Sequence, residues 1–94
     1  MADMVVLVNE RREVTECLVG NVALRQGGRW FTPPESSGLL RGTYRDELLL
    51  RGEIQERVLY PEDLATAESV SMINSVREWV PLELVQASGT AAAG

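Results

Sequence analysis

The chain contains no lysine and no histidine, a single cysteine, and few aromatic side chains: two tryptophans, two tyrosines and one phenylalanine. Without histidine it cannot build a Cys/His zinc site or activate a nucleophile through an imidazole. Cys17 alone cannot close an internal disulfide. All nine basic residues are arginine, and a guanidinium with a pKa above ~12 stays protonated, so the α-amine of the chain is its only deprotonatable nitrogen nucleophile. No apolar run approaches the ~20 residues needed to span a bilayer. The start Met1-Ala2-Asp3 lacks the basic residues of a secretion signal, so a cytosolic address and no membrane partner are expected. A basic stripe is lacking too: the net charge is -5 and the arginines are scattered, which excludes nucleic acid as an expected partner.

What is present suits one small globular domain. Apolar residues make up 45% and charged residues 24% of the 94, and a chain of this size buries only about 60 to 65% of its unfolded surface. A partner surface would add to its stability. The domain is expected over residues 1–86, followed by a flexible tail at 87–94, Ala87-Ser88-Gly89-Thr90-Ala91-Ala92-Ala93-Gly94, too small and unpatterned to add a core element.

Met4 to Val8 is a continuous apolar run ended by Asn9-Glu10-Arg11-Arg12, which predicts a buried strand and a turn. Val14 to Glu16 resumes in extended form. Asn21 to Arg25 and Arg29 to Thr32 flank Gln26-Gly27-Gly28, and adjacent glycines supply the positive φ angles of a tight hairpin. Pro33-Pro34 stops the second of these strands, since proline donates nothing to a ladder, and a polar loop runs from Glu35 to Gly42. Thr43 is expected to cap a helix to about Arg51, with Tyr44, Leu48 and Leu49 on one face and Gly52 at its end. Ile54 to Tyr60 alternates as a strand. Pro61-Glu62-Asp63 opens a short helix to about Ala67, and Ser69 to Ile73 and Trp79 to Val85 are the last strands. The succession predicts a single α+β domain with a mixed, largely antiparallel sheet and two short helices.

Read in order, Asn9-Glu10-Arg11, Val14-Thr15-Glu16, Asn21, Thr32-Pro33-Pro34, Ser37-Gly38-Leu39-Leu40 and Gly42-Thr43-Tyr44-Arg45 resemble the C-terminal part of the fold-type IV pyridoxal-phosphate enzymes, the class IV aminotransferases and 4-amino-4-deoxychorismate lyases. The resemblance covers roughly residues 4 to 82. It implies an open-barrel-like sheet flanked by helices, with pyridoxal 5'-phosphate across its mouth. It also places the family's Schiff-base lysine upstream of this segment, where this chain has none. The family's chemistry needs an amine that bonds the cofactor aldehyde and then carries protons, and arginine cannot substitute. The resemblance therefore implies half of a cofactor site without its covalent anchor, and no catalytic residue within the chain.

Glu16 matches the family's acid at the pyridine nitrogen, whose carboxylate keeps that nitrogen protonated so the ring accepts electrons, and Asn21 matches the motif's asparagine. On spacing alone these are a solvated strand residue and a turn residue. Gly42, Thr43 and Tyr44 match the turn whose amides bind the cofactor phosphate at a helix start, where unpaired donors and the helix dipole gather; the plain reading is a capped helix. Arg41 stands where the family commonly has proline. Asn74 and Ser75 match a polar pair that adds a phosphate hydrogen bond, or form an ordinary turn. Arg77 stands where members of the lyase branch often carry arginine, a position from which it could meet a substrate carboxylate; the plainer reading is an unpaired surface arginine. Arg45 reads as a structural fastener, Cys17 as a half-buried packing residue, and Trp30 and Trp79 as anchors of the core and sheet edge.

Gly38-Leu39-Leu40-Arg41-Gly42-Thr43-Tyr44-Arg45 and Ile73-Asn74-Ser75-Val76-Arg77 look closest to the lyase branch, whose complete enzymes eliminate pyruvate to leave 4-aminobenzoate for folate synthesis. Three readings follow. The chain is part of a lyase that needs a lysine-bearing N-terminal half, a module that binds a phosphate-bearing ligand without chemistry, or a structural unit that forms homo-oligomers.

Overall fold

A computed structural model of the chain describes residues 6–17 and 20–82. Strands β1 (Val6–Val8) and β2 (Val14–Cys17) form an antiparallel ribbon. A five-stranded sheet follows from β3 (Asn21–Gln26), β4 (Arg29–Thr32), β5 (Gln55–Glu56), β6 (Ser69–Asn74) and β7 (Glu78–Leu82), in the order β5-β4-β3-β6-β7. Only the β4–β5 pair is parallel. Helix α1 (Thr43–Arg51) and helix α2 (Pro61–Thr66) complete the fold, which is the α+β arrangement expected from the sequence.

Both faces of the large sheet are covered, which is why β3 and β6 are buried along most of their length rather than alternating. On one face Val22, Leu24, Val70 and Met72 pack with Val14 and Cys17 of the ribbon, Leu59, and Leu64 of α2. On the other, Ala23 and Ile73 pack with Leu48 of α1 and Ile54, flanked by Trp30, Tyr44, Leu49 and Trp79. The Trp30 and Trp79 rings meet at 4.8 Å, tilted by 59°. The β3–β4 hairpin turns at Gly27 and Gly28 with φ of 63° and 77°, the left-handed conformation that an Asn-Gly or Gly-Gly hairpin turn requires. The amide of Val14 donates to Leu59 O at 2.6 Å, and that of Arg57 donates to Thr32 O at 2.9 Å. The ribbon is thereby tied to the segment that leaves the β5 edge.

Four local expectations change. The first strand is not buried: Leu7 and Val8 are 37% and 45% exposed, because this strand pairs only with β2 at the edge of the fold and only its Val6 packs on the core. Met4 and Val5 lie outside the described residues, as do residues 83–85 of the last strand and the tail. The strand from Ile54 to Tyr60 shrinks to Gln55–Glu56. Its fully buried positions, Ile54 and Leu59, lie on opposite faces of any period-2 strand and serve the two different cores. Gly42, not Thr43, is the N-cap of α1, without a side-chain cap. Cys17 is 2% exposed rather than half-buried, and its Sγ donates to Gly20 O at 3.3 Å.

Arg45 fastens the start of α1. It is 1% exposed and donates to Pro33 O at 2.9 Å and to Glu56 Oε2 at 2.7 Å, with Asp46 Oδ1 at 3.3 Å. The planar fork spreads its donors over separate nitrogens, so one side chain reaches a carbonyl and two carboxylates that lie in different directions.

Candidate functional site

A cleft of about 620 Å³ opens where β3 begins and β6 ends. Glu16 and Cys17 of β2, Asn21 of β3, the segment from Leu40 to Thr43, and Asn74 and Ser75 at the β6–β7 turn line it, with Leu7 on one wall. Its volume is in the range of small-molecule sites.

The segment entering α1 is held by side chains rather than by a ladder. Glu16 Oε1 accepts the Leu40 N–H at 3.0 Å. Asn21, only 4% exposed, donates from Nδ2 to Leu40 O at 2.9 Å and accepts the Gly42 N–H on Oδ1 at 3.3 Å. Gly42 must be glycine for this contact, since a Cβ there would sit 2.6 Å from Asn21 Oδ1. Its close approach is thus to a protein side chain. Beyond it, Asp46 N–H is the first to close a helical bond, to Gly42 O, so the amides of the first turn have no partner within the helix.

Thr43 Oγ1 and Ser75 Oγ are 2.5 Å apart, one donating to the other. The Asn74 Nδ2 donor is directed at Met72 Sδ at 3.9 Å, and its Oδ1 accepts the amides of Val76 at 3.0 Å and Arg77 at 2.7 Å. This Asx-type turn sets the position of Ser75. Arg41 at the rim pairs with Asp46 at 3.0 Å and Glu35 at 3.7 Å. The hydrogen bond from Arg41 holds the Asp46 carboxyl below its usual range, so this first-turn acid remains charged beside the helix N-terminus and its charge is matched by the arginine.

Six of the residues singled out from sequence meet at this cleft: Glu16, Asn21, Gly42, Thr43, Asn74 and Ser75. Two do not. The Tyr44 side chain packs against the Ala23–Leu48–Ile54–Ile73 cluster, leaving only its amide near the helix start. Arg77 is exposed on the β6–β7 turn and is not among the cleft-lining residues. Sequence reading did not anticipate Leu7 as a wall or the Leu40 peptide as the partner of both Glu16 and Asn21. A backbone group leaves no residue-type signal, so only the spacing of the motif pointed there.

Comparison with known proteins bears on the family and the fold. The Amino-transferase class IV family matches residues 1–85. A Schizosaccharomyces pombe protein provisionally named an aminodeoxychorismate lyase is 40% identical over 80 residues, covering 82% of this chain and 35% of its own length. Among solved structures, a Mesorhizobium loti protein provisionally named an amino-acid aminotransferase superposes with a TM-score of 0.84 at 39% identity, over 89% of this chain and 41% of its own. The 4-amino-4-deoxychorismate lyase of Pseudomonas aeruginosa superposes with a TM-score of 0.77 at 26% identity, over 85% of this chain and 32% of its own. The chain thus spans well under half the length of these relatives. With the motif, the fold and the match over nearly its whole length in agreement, the chain belongs to the class IV amino-transferase family.

Proposed function

We propose that this chain forms the ring-nitrogen and phosphate ends of a pyridoxal-phosphate site of the 4-amino-4-deoxychorismate lyase kind, with the Schiff-base lysine supplied from outside these 94 residues. The observation that carries this reading is that Glu16, Thr43 and Ser75, from a strand, a helix start and a turn, line one cleft. The donor set suits the cofactor. Glu16 engages one carboxylate oxygen with Leu40, leaving the other to accept from a protonated ring nitrogen. Of the Thr43 and Ser75 hydroxyl protons, one lies in their mutual bond, and the second is available to a phosphate oxygen. The first-turn amides of α1 and the helix dipole add to that anion nest.

The bound cofactor supplies an electron sink for carbanion chemistry. The chain's own residues bind it and fix its ring. Arg77, beyond Ser75 on the same turn, is assigned to a substrate carboxylate arriving over the rim. No residue in the chain moves the reacting proton, so catalysis belongs to an assembly with a lysine-bearing partner segment.

Titration of the purified chain with pyridoxal phosphate, followed by visible absorbance and then borohydride, tests the reading. Binding that borohydride cannot fix is expected, together with a roughly ten-fold or greater loss in Glu16→Ala, since a charge-assisted hydrogen bond contributes ~1.5–3 kcal/mol. Unchanged affinity in both Glu16→Ala and Ser75→Ala would sink it. A second reading, a phosphate-ligand module that self-associates, is favoured by the exposed Leu7, Val8, Leu40 and Val76. Light scattering of the apo chain separates the two by showing whether it is a homo-oligomer without the missing half.

A further inference from the structure

We infer that Asn21 is a positioning residue that couples the two ends of the cleft through the one residue it shares with Glu16, Leu40. The family resemblance marks Asn21 as a cofactor contact, but both ends of its amide are already committed. Nδ2 donates to Leu40 O at 2.9 Å and Oδ1 accepts from Gly42 N at 3.3 Å. At 4% exposure it touches the cleft with little more than an edge. Glu16 takes the N–H of the same residue, Leu40, at 3.0 Å. Leu40 is therefore gripped at its N–H by the carboxylate and at its C=O by the amide, and Gly42, the N-cap of α1, hangs from the other end of that amide.

The consequence concerns distance and sign. Glu16 is an anion in the same cleft as the anion nest at Thr43 and Ser75. If the two acted independently, removing its charge would leave phosphate binding unchanged or strengthen it, because like charges repel. Coupling through Leu40 predicts the opposite. Releasing the Leu40 N–H loosens that residue, Asn21 loses its fixed partner at the carbonyl on the other side of the Leu40 Cα, and the Gly42 N-cap no longer holds the first-turn amides in register for an anion. Asn21→Ala should produce the same loss from the other side, since it removes the grip on Leu40 O and Gly42 N together.

This inference rests on the pyridoxal-phosphate reading for its purpose, and its test is chosen to fail separately. Inorganic phosphate, which has no ring for Glu16 to meet, is titrated into the intact chain and its variants by calorimetry. Backbone amide exchange at Leu40 and Gly42 is followed by NMR without ligand. Glu16→Ala is expected to weaken phosphate binding by about three- to ten-fold, the scale of one hydrogen bond, and to speed exchange at Gly42 as well as at Leu40. Glu16→Gln, which keeps an oxygen to accept from Leu40, should restore much of both losses. In an Asn21→Ala background Glu16→Ala should add little. Phosphate binding that rises or stays level in Glu16→Ala, or faster exchange confined to Leu40, overturns the coupling. A chain that binds neither phosphate nor pyridoxal phosphate refutes the cofactor reading, and the exchange pattern then decides the coupling by itself.

Discussion

The five-stranded sheet and the β1–β2 ribbon solve the same burial problem with different success. The large sheet is covered on both faces, by the ribbon and α2 on one side and by α1 on the other, and Leu24 and Ile73 at its centre are fully buried. The ribbon is buried along its second strand, where Val14, Thr15 and Cys17 are all inside, but its first strand leaves Leu7 and Val8 substantially exposed. Yet the ribbon supplies Glu16 and the Leu7 wall of the cleft, while the sheet supplies Asn21, Asn74 and Ser75. The cleft thus lies between a sheet covered on both faces and a ribbon whose first strand is exposed among the described residues.

The largest effect should separate these regions by stability. Leu24→Ala removes a fully buried side chain from the sheet centre and should cost about 2–5 kcal/mol, by lost transfer energy and the cavity left behind. Leu7→Ala, at 37% exposure, should stay within about 1 kcal/mol. Urea unfolding monitored by tryptophan fluorescence checks both. Comparable losses would mean that the ribbon is as integral to the folded chain as the sheet, and the contrast would fall.

The sheet side of this contrast was largely legible in the sequence, and the site side was legible in part. Gly27-Gly28 between β-rich runs marks the hairpin because few other residues accept those backbone angles. Pro61 followed by acids marks α2, where Asp63 Oδ2 accepts the Tyr60 amide at 2.8 Å. Arg45 stands out as a fastener because it recurs in the family motif, although nothing in its neighbours names Pro33 O and Glu56 as its partners. Alternation misled at Ile54 to Tyr60, where the chain crosses from one core to the other. Asn21 and Gly42 were visible as residue types. Their bond to each other was not, because it depends on a long-range approach of β3 to the start of α1 that no local window contains.

A smaller effect sharpens the contrast at the seam between cleft and sheet. Gly42→Ala would place a methyl 2.6 Å from Asn21 Oδ1, although φ of -74° at this position suits any residue. The cost is therefore a clash with a buried amide and not backbone strain, on the order of 1–3 kcal/mol. Asn21→Ala should be destabilising alone, by loss of its two bonds to the Leu40–Gly42 segment. The double variant should be less destabilised than the sum of the singles, because the methyl then has room. Thermal unfolding of the four proteins reads this directly. Strict additivity would show that Gly42 is required by something other than Asn21.

The smallest effect lies at the far end of the ribbon, where a polar cluster takes the place of apolar cover. Asn9 Nδ2 donates to Glu13 Oε1 at 3.0 Å, Ser37 Oγ donates to the same oxygen at 3.0 Å, and Arg11 lies 3.3 Å away. The hydrogen bond from Asn9, then that from Arg11, holds the Glu13 carboxyl below its usual range. A carboxyl whose pKa is lowered by folding stabilises the native state above its unfolded value, ~4.3 for glutamate. That stabilisation is lost as the pH falls through the lowered folded value. Glu13→Gln keeps an oxygen to accept from Asn9 but has no charge to lose. The wild type should therefore melt above Glu13→Gln at pH 7, by a margin that salt reduces, and the two curves should converge as the pH is lowered through the acid range. A gap that persists unchanged in acid would show that the cluster acts through packing and neutral hydrogen bonds, and that the ribbon's turn needs no carboxylate.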